Sequence, residues 1–478
     1  MSEQTNSTQL AVLGGGPGGY AAAFLAADLG MQVVLIDPEP NPGGVCLYRG
    51  CIPSKALLHV AKVLTESREA ARWGIEFPEP QVKLEKLRAW KESVVQRLTG
   101  GLGQLSKQRH VRYLRGEASF TDGRSLTIRR AEGGEEQLSF GNAIIATGSR
   151  PATLSGAVLQ SSRILDSTTA LDIADIPKTL LVVGGGYIGL ELGTVYATLG
   201  TQVSVVEMLP GVLPGVDRDL VTPLAKRLEG IFRSVMLNTQ VVEMHEQKDG
   251  IRVKFEGPAL APPEQVFEKV LVAVGRKANS QVPGLDKTKV EVDPRGFVKV
   301  DLQRRTAEPS VYAVGDVAGE PMLAHKASHE GRVAVEAIAG RKVAFEPRAI
   351  PAVVFTDPEI AWCGITEEQA KKENRAVKVV RFPWAASGRA ITLDRPDGVT
   401  KLIIDPETEG VLGVGIAGSG AGELIAEGVL AVEMAATAAD VALSIHPHPT
   451  LSETVMETAE VFFGTATDLY RPRKSSSQ

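Results

Sequence analysis

Apolar residues form short runs along the chain, and two of these runs open segments with the same organisation. Residues 10–37 read LAVLGGGPGGYAAAFLAADLGMQVVLID, and residues 180–207 read LLVVGGGYIGLELGTVYATLGTQVSVVE. Each segment has an apolar run, a glycine-rich turn, a stretch of small residues and a second apolar run that ends in an acidic residue. Continuous apolar runs joined by a helical stretch are typical of buried parallel strands. The pattern therefore predicts the same strand, helix, strand unit twice.

The glycines between strand and helix have the spacing G-x-G-x-x-G in both units. The first glycine of such a motif makes a tight turn, the second admits a pyrophosphate close to the backbone, and the third lets the helix pack on the strand. The helix start offers unpaired N–H groups to the phosphates, and an acid at the end of the second strand accepts ribose hydroxyls. The sequence predicts two dinucleotide sites, at Gly14, Gly16, Gly19 and Asp37 and at Gly184, Gly186, Gly189 and Glu207.

Each unit is followed by a further apolar run that ends at a glycine, Gly148 in AIIATGS and Gly275 in VLVAVGR. The first glycine of the unit precedes this later glycine by 134 residues in the first copy and by 91 in the second, a difference of 43. Cys46 and Cys51 lie in the part that differs. We therefore expect any sulfur chemistry at the first nucleotide.

The acid of the second unit favours NAD(H) over NADP(H). A 2′-phosphate calls for an arginine near the end of the second strand. Glu207 is followed instead by Met208, Leu209 and Pro210.

Length, charge and the N-terminal sequence narrow the class of protein. A chain of 478 residues predicts three or four domains, and a net charge of −5 provides no basic field for nucleic acid or an anionic membrane. There is no run of 18 apolar residues, and MSEQTNSTQL has neither a secretory nor a transit pattern. We expect a cytoplasmic enzyme, with residues 1–9 and 471–478 as solvated tails.

Two of the three cysteines lie in GGVCLYRGCIPSK, residues 43–55. A zinc site needs about four ligands; Cys363 is remote and no histidine cluster flanks the pair, so no metal site is predicted. A structural disulfide across so short a loop would remove little entropy from the unfolded chain. The two cysteines are then either inert buried thiols or a reacting pair.

The residues after Cys51 favour the reacting pair. IPSKALLHVAKVLTE has apolar residues at helical spacing and Pro53 suits a first turn, so an amphipathic helix is predicted to begin near Cys51. A helix start favours the thiolate. We interpret the pair as one that opens and closes beside a flavin.

Other candidate groups are less specific. In IHPHPTLSETVMETAE, His448 oriented by Glu453 would be a general base, or else a surface or capping histidine. Asp316 follows an apolar run and is placed either to accept cofactor hydroxyls or to form a turn. Lys55 and Glu191 would pair between the two units, unless both are solvated.

Together these segments carry a resemblance. GGGPGGY, GGVC, GCIPSKALLH, AIIATGSRP, GGGYIGLELG, VYAVGDVAGEPMLAHKA, FTDPEIAWCG and HPHPTLSE are similar to motifs of the pyridine nucleotide-disulfide oxidoreductases, in particular the members that oxidise dihydrolipoyl groups. The resemblance spans residues 8–470. It implies an α/β fold with two Rossmann-like dinucleotide-binding domains and an α+β C-terminal dimerisation domain. The implied domains are an FAD domain with the redox disulfide (1–150), an NAD domain (151–278), a central domain that also contacts FAD (279–350) and an interface domain (351–478).

The resemblance also assigns site residues. FAD would be held by Gly14, Gly16, Gly19, Asp37, Lys55, Thr147, Gly148, Asp316 and Ala324. NAD would be held by Gly184, Gly186, Gly189, Glu191, Glu207 and Gly275, with Glu191 paired to Lys55 near the nicotinamide. The catalytic groups would be Cys46, Cys51, His448 and Glu453, the last two supplied by the other subunit of a homodimer.

The implied reaction reoxidises protein-bound dihydrolipoamide through a Cys46–Cys51 disulfide and FAD, and reduces NAD⁺ to NADH. Cys46 would exchange with the substrate, Cys51 would face the flavin, and His448 would take the thiol proton. The implied partners are the dihydrolipoyl domain of an acyltransferase or glycine-cleavage carrier protein and the peripheral-subunit-binding domain of a 2-oxo acid dehydrogenase complex. An NADPH-dependent disulfide reductase of the glutathione reductase type is the rival.

Three positions depart from the family pattern. Tyr48 and Arg49 stand where the family usually has asparagine and then an apolar residue. Asp37 replaces the more usual glutamate, which shortens the arm toward the ribose. The resemblance therefore does not define the contacts of the flavin loop at these positions.

Overall fold

The computed structural model describes residues 6–154, 161–258 and 263–470. In these ranges the α-helices are α1 (Pro17–Asp28), α2 (Gly44–Arg49), α3 (Cys51–Glu69), α4 (Leu84–Gln108), α5 (Tyr187–Thr198), α6 (Arg218–Ile231), α7 (Ala324–Ile338), α8 (Glu367–Lys372), α9 (Gly388–Thr392), α10 (Ala421–Glu433), α11 (Ala438–Leu443) and α12 (Glu453–Phe463). The strands are β1 (Asn6–Leu13), β2 (Val33–Asp37), β3 (Arg112–Asp122), β4 (Ser125–Arg130), β5 (Glu135–Ile145), β6 (Ser149–Pro151), β7 (Ile164–Leu165), β8 (Thr179–Val183), β9 (Gln202–Val206), β10 (Ser234–Met236), β11 (Gln240–Gln247), β12 (Gly250–Glu256), β13 (Glu264–Phe267), β14 (Lys269–Val272), β15 (Arg276–Ala278), β16 (Val311–Ala313), β17 (Ala352–Val354), β18 (Glu359–Gly364), β19 (Lys378–Pro383), β20 (Val399–Ile404) and β21 (Val411–Gly418).

The first repeat builds a sheet whose parallel part carries the first glycine motif. β1 pairs in parallel with β2 and β5, β2 pairs with β3, and β5 pairs with β16. The hairpin strand β4 runs antiparallel to β3 and β5. Ala22, Ala23 and Ala26 of helix α1 are buried in the core, and α7 packs beside α1. Because these side chains are small, α1 lies close to the sheet, and the glycine turn before it lies at the carboxyl end of β1.

The second repeat builds a separate sheet in which all strands are parallel, in the order β10, β9, β8, β14, β7. Helix α5 connects β8 to β9 as α1 connects β1 to β2. An antiparallel sheet of β11, β12 and β13 follows. The duplicated unit predicted from the apolar pattern is present.

The two copies differ between their second and third strands. The chain forms α2, α3 and α4 between β2 and β3, whereas it forms α6 between β9 and β10. Helix α3 packs against α5 of the second unit. The helix that begins at Cys51 therefore lies where the two nucleotide units meet.

The C-terminal part is an antiparallel sheet in the order β17, β18, β21, β20, β19, covered by α10 and α12. Its core surrounds the fully buried Trp384. The ammonium of the buried Lys401 lies 2.6 Å from Asp217, 2.8 Å from Asp219 and 2.9 Å from Glu367, and so ties the second unit to this sheet. These three carboxylates are close enough together to hold a metal ion, but the lysine ammonium lies among them.

The predicted fold class is confirmed, and one local expectation is wrong. Residues 6–9 are part of β1, where Asn6 to Thr8 pair with β5 and Thr8 is buried. Backbone pairing with β5 does not need apolar side chains, so the polar sequence misled the tail prediction.

Residues 1–5 and 471–478 lie outside the described residues. The domain boundaries stay a prediction. No helix in the described ranges has the length and apolar character needed to cross a membrane.

Candidate active site

A cavity of about 630 Å³ lies at the carboxyl ends of the parallel strands in the first sheet. Leu13, Asp37, Ala146 and Val314 line it where β1, β2, β5 and β16 end. This is the edge at which parallel α/β sheets bind their ligands, and the volume is in the usual range for such sites. The predicted FAD residues line the cavity except for Gly19, which packs behind the turn against Gly14.

The glycine turns of the two units have matching geometry. Gly14 has φ +106°, and a Cβ there would lie 2.3 Å from the carbonyl oxygen of Ala146. Gly184 has φ +108°, and its Cβ would lie 2.5 Å from the carbonyl oxygen of Ala273. A side chain has no room at either turn, so only glycine allows the chain to turn this tightly into the helix whose N-terminus can face a pyrophosphate. The residues present at each turn therefore fit a dinucleotide such as FAD or NAD.

The acids at the ends of β2 and β9 are held in the same way. Asp37 accepts hydrogen bonds from the backbone N–H of Gly15 at 2.5 Å and of Glu39 at 2.9 Å. Glu207 accepts from the N–H of Gly185 at 2.7 Å and of Leu209 at 2.9 Å. A carboxylate has about four acceptor positions, so each acid retains capacity for ribose hydroxyls. The shorter Asp37 therefore keeps both bonds that Glu207 makes.

Cys46 and Cys51 lie on consecutive helices, Cys46 within α2 and Cys51 as the first residue of α3. Both are free thiols that line the cavity. A hydrogen bond to the sulfur of Cys51, together with burial, raises the pKa of Cys46 well above the ordinary thiol value.

The same hydrogen bond, and then the positive charge of Lys55, lowers the pKa of Cys51 to about 7, although burial and Glu191 act in the opposite direction. Of the two thiols, Cys51 is therefore the one that loses its proton more readily. The sequence indicated this through the helix start; the structure adds Cys46 and Lys55 as causes.

Glu191 joins three parts of the chain. Its carboxylate accepts from the Lys55 ammonium at 2.8 Å, from the Ser54 hydroxyl at 3.2 Å and from the backbone N–H of Phe355 at 2.9 Å. Glu191 is 2% exposed, and the Lys55 ammonium lies 4.5 Å from the centroid of the Phe355 ring. The ion pair predicted between the two units is present and is held by the C-terminal part of the chain.

The segments that connect the two units form another wall of the cavity. Asp316 accepts from the Ser149 hydroxyl at 2.5 Å, and that hydroxyl accepts from Nε of Arg276 at 2.7 Å. Strands β6 and β15 pair here, so the segments after Gly148 and Gly275 meet each other. The remaining predicted residues at this wall are Thr147, whose hydroxyl donates to the carbonyl of Asn279 at 2.8 Å, and Ala324, the first residue of α7.

His448 and Glu453 form the pair expected of them, outside the lining of the cavity that holds the cysteines. Nδ1 of His448 lies 2.8 Å from Oε1 of Glu453, whose other oxygen accepts from the N–H of Thr450 at 2.7 Å. The His448 side chain is 79% exposed. Neither residue is among the described residues that line the cavity. Glu453 therefore orients the imidazole through Nδ1, at a position that does not line the cavity of its own chain.

Sequence reasoning missed three cavity or contact residues, namely Tyr187, Arg276 and Phe355. Tyr187 follows the second glycine of the second motif and lines the first cavity; burial raises its pKa to about 12. Arg276 directly follows Gly275, so extending that motif by one residue would have found it. Phe355 begins FTDPEIAWCG, but nothing in that motif signals a contact with Lys55.

Comparisons with known families agree with this geometry. The family described as pyridine nucleotide-disulphide oxidoreductase matches residues 8–331, and its dimerisation domain matches residues 350–459. The solved structure of LpdA from Mycobacterium tuberculosis is similar with a TM-score of 0.88 and 27% identity, covering 95% of this chain and 99% of that one. The flavoprotein disulfide reductase RclA from Escherichia coli is similar with a TM-score of 0.84 and 25% identity, covering 95% of this chain and 99% of that one.

Sequence relatives extend over nearly the whole chain. A dihydrolipoyl dehydrogenase of Haemophilus influenzae is 50% identical over 462 residues, which cover 97% of this chain and 96% of the relative. One of Vibrio parahaemolyticus is 49% identical, with 98% of each chain covered. This chain belongs to the pyridine nucleotide-disulphide oxidoreductase family.

Proposed function

We propose that this protein is a dihydrolipoyl dehydrogenase, which reoxidises protein-bound dihydrolipoamide and reduces NAD⁺ to NADH. The observation that carries the proposal is the cysteine pair in the first cavity, with opposite pKa shifts on its two thiols. The Lys55–Glu191 contact joins this pair to the second nucleotide unit. The relatives of that name, 50% and 49% identical over almost their full length, support the same activity.

The cofactors are FAD in the first unit and NAD in the second. Gly14, Gly16 and Asp37 would hold the adenosine diphosphate of FAD, and Lys55 would lie beside its reactive ring; Gly184, Gly186 and Glu207 would hold NAD. Bound FAD supplies a two-electron acceptor that passes a hydride to NAD⁺. The protein supplies positioning, proton control and the reacting sulfurs.

The reaction starts from the oxidised Cys46–Cys51 bond. His448 of a second subunit takes the proton of one dihydrolipoyl thiol, and the resulting thiolate attacks Sγ of Cys46. The Cys46–Cys51 bond breaks, a mixed disulfide forms on Cys46, and Cys51 leaves as a thiolate. The second dihydrolipoyl thiol attacks the lipoyl sulfur that is bonded to Cys46, and its proton passes to the departing Cys46 sulfur. This closes the lipoyl disulfide and leaves Cys46 as a thiol. Two electrons then reside on the cysteine pair.

The environment of each sulfur suits its proposed role. A leaving thiolate with a low pKa departs faster, and the lowered pKa of Cys51 makes it the better leaving group. Cys46 holds the proton that it takes up on release because its pKa is raised. Glu453 holds the His448 ring by Nδ1, which leaves Nε2 for the proton of the substrate.

Two observations support a dimer: the His448 side chain is exposed, and residues 350–459 match a dimerisation domain. We propose a cytoplasmic homodimer in which each chain completes the other's site. Its macromolecular partners would be the dihydrolipoyl domain of an acyltransferase or glycine-cleavage carrier and the peripheral-subunit-binding domain of a 2-oxo acid dehydrogenase complex.

Paired assays test the activity. Purified protein loaded with FAD is given dihydrolipoamide and NAD⁺ in one assay, and NADPH with glutathione disulfide in the other. We expect NADH formation in the first and little NADPH oxidation in the second. Absence of NADH from FAD-loaded dimer would refute the proposal, and Cys51→Ser serves as the inactive control.

A further inference from the structure

Tyr48 and Arg49, the residues between the two cysteines that the family pattern does not account for, both contact the loop that follows β2. The Tyr48 hydroxyl accepts from the backbone N–H of Asn41 at 3.2 Å and donates to the carbonyl of the same residue at 3.1 Å. The Arg49 guanidinium forms an ion pair with Glu39. Helix α2 therefore fixes residues 38–43 from one side.

Strand β3 fixes the same loop from the other side. The Tyr113 hydroxyl donates to the carbonyl of Glu39 at 2.9 Å, and Nε of Arg115 donates to the carbonyl of Pro38 at 3.2 Å. At its far end the loop returns to the glycine turn, because the N–H of Gly43 donates to the carbonyl of Gly15 at 2.7 Å. The loop is a fixed wall of the cavity beside the ribose acid Asp37.

Arg49 lies at an end of the cavity that is rich in acidic side chains. Asp37, Glu39 and Glu117 line this end, Glu117 is paired with Arg129, and a diphosphate would add further negative charge. Arg49 lines the cavity beside them, and its charge opposes the rise that burial causes in the pKa of Asp37. Nε of Arg49 is buried and has no hydrogen-bond partner among the described residues. A guanidinium carries five N–H donors, so the Glu39 pair leaves donors available.

We propose that Arg49 is a positioning residue for the adenosine diphosphate half of FAD, and that Tyr48 holds the loop on which Arg49 acts. Arg49 supplies positive charge toward the diphosphate while its ion pair with Glu39 keeps the loop closed. The inference rests on the flavin site of the proposed function and not on the thiol substrate. A failed dihydrolipoamide assay would therefore leave the expected FAD-binding results unchanged.

The test measures binding of FAD, and of ADP as a competitor, to the apoprotein by quenching of flavin fluorescence at low and high salt. For Arg49→Val we expect the Kd of FAD to rise about tenfold at low salt, the loss of one charge-assisted hydrogen bond. The affinity for ADP should fall by a similar factor. The difference from the parent should shrink at high salt because salt screens the lost charge. Arg49→Lys should recover part of the affinity.

Two further variants separate charge from loop closure. Tyr48→Phe removes the hydroxyl and keeps the charge, so it should weaken FAD binding equally at both salt concentrations. Arg252→Val removes a charge of the same sign from the exposed ion pair with Glu264, neither of which lines the cavity, and should bind FAD like the parent. Circular dichroism and dimer mass would show that each variant is folded. FAD affinity within twofold of the parent in Arg49→Val, or a loss that salt does not change, would overturn the proposal.

Discussion

At the scale of single residues, the neighbours of Cys46 and Cys51 give the two sulfurs different roles. Cys46 donates its proton toward Cys51, and Lys55 adds positive charge on the Cys51 side. We predict that Cys51→Ser abolishes the long-wavelength thiolate-to-flavin absorption band of the two-electron-reduced protein, whereas Cys46→Ser retains a band. Anaerobic absorption spectra measure this. Equal behaviour of the two variants would contradict the assignment of the sulfurs.

The pH dependence of the Cys51 thiolate follows from the same contacts. Its pKa is lowered to about 7, so the thiolate is present above that pH and lost below it. We expect the alkylation rate of Cys51 in reduced apoprotein to rise through a midpoint near pH 7. In Cys46→Ala the hydrogen bond is gone, and the midpoint should move up toward the ordinary thiol value. A midpoint that stays unchanged would show that Cys46 does not stabilise the thiolate.

At the scale of elements, the two glycine turns have the same geometry but are proposed to bind different cofactors. An added methyl at Gly14 or Gly184 meets a carbonyl oxygen at 2.3 or 2.5 Å, and overpacking of this kind costs about 1–3 kcal/mol. We predict that Gly14→Ala purifies with little FAD, while Gly184→Ala keeps FAD and needs about tenfold more NAD⁺, a change of about 1.4 kcal/mol. Flavin absorbance and the KM for NAD⁺ distinguish the two.

Gly100→Ala is the matched control for these turns. Gly100 lies inside α4 and a Cβ there meets nothing within 4 Å, so FAD content and KM should match the parent. Loss of FAD in Gly184→Ala as well would mean that the two units are not assigned to separate cofactors.

The elements also show why part of the site was readable from the sequence and part was not. The strand, turn and helix of each unit are consecutive along the chain, so their periodicity predicts Gly14, Asp37 and the helix at Cys51. The N–H of Phe355 reaches Glu191 from 164 residues away, and a backbone donor has no side-chain signature. The start of β1 at Asn6 was missed for a related reason. Its first residues pair with β5 through backbone hydrogen bonds, which leave no apolar pattern in the sequence.

At the scale of the whole molecule, the proposed dimer would divide each active site between the two chains. The cysteines lie in a cavity of the first unit, and the exposed His448 lies on the segment before α12. If the chains pair through the dimerisation domain, His448 of one chain serves the cysteines of the other. Dimers of His448→Gln alone and of Cys51→Ser alone should then both be inactive.

Mixed dimers test this arrangement directly. When the two variants are co-expressed and assemble at random, half of the dimers are mixed, and each mixed dimer has one site with both groups intact and one with neither. We predict about a quarter of the parent activity in the mixture. Separately tagged chains allow the mixed dimer to be purified, and it should show about half of the parent activity per dimer. If each chain instead used its own His448, both sites of a mixed dimer would lack one group and the mixture would stay inactive, because the intact cysteines and the intact histidine would never meet.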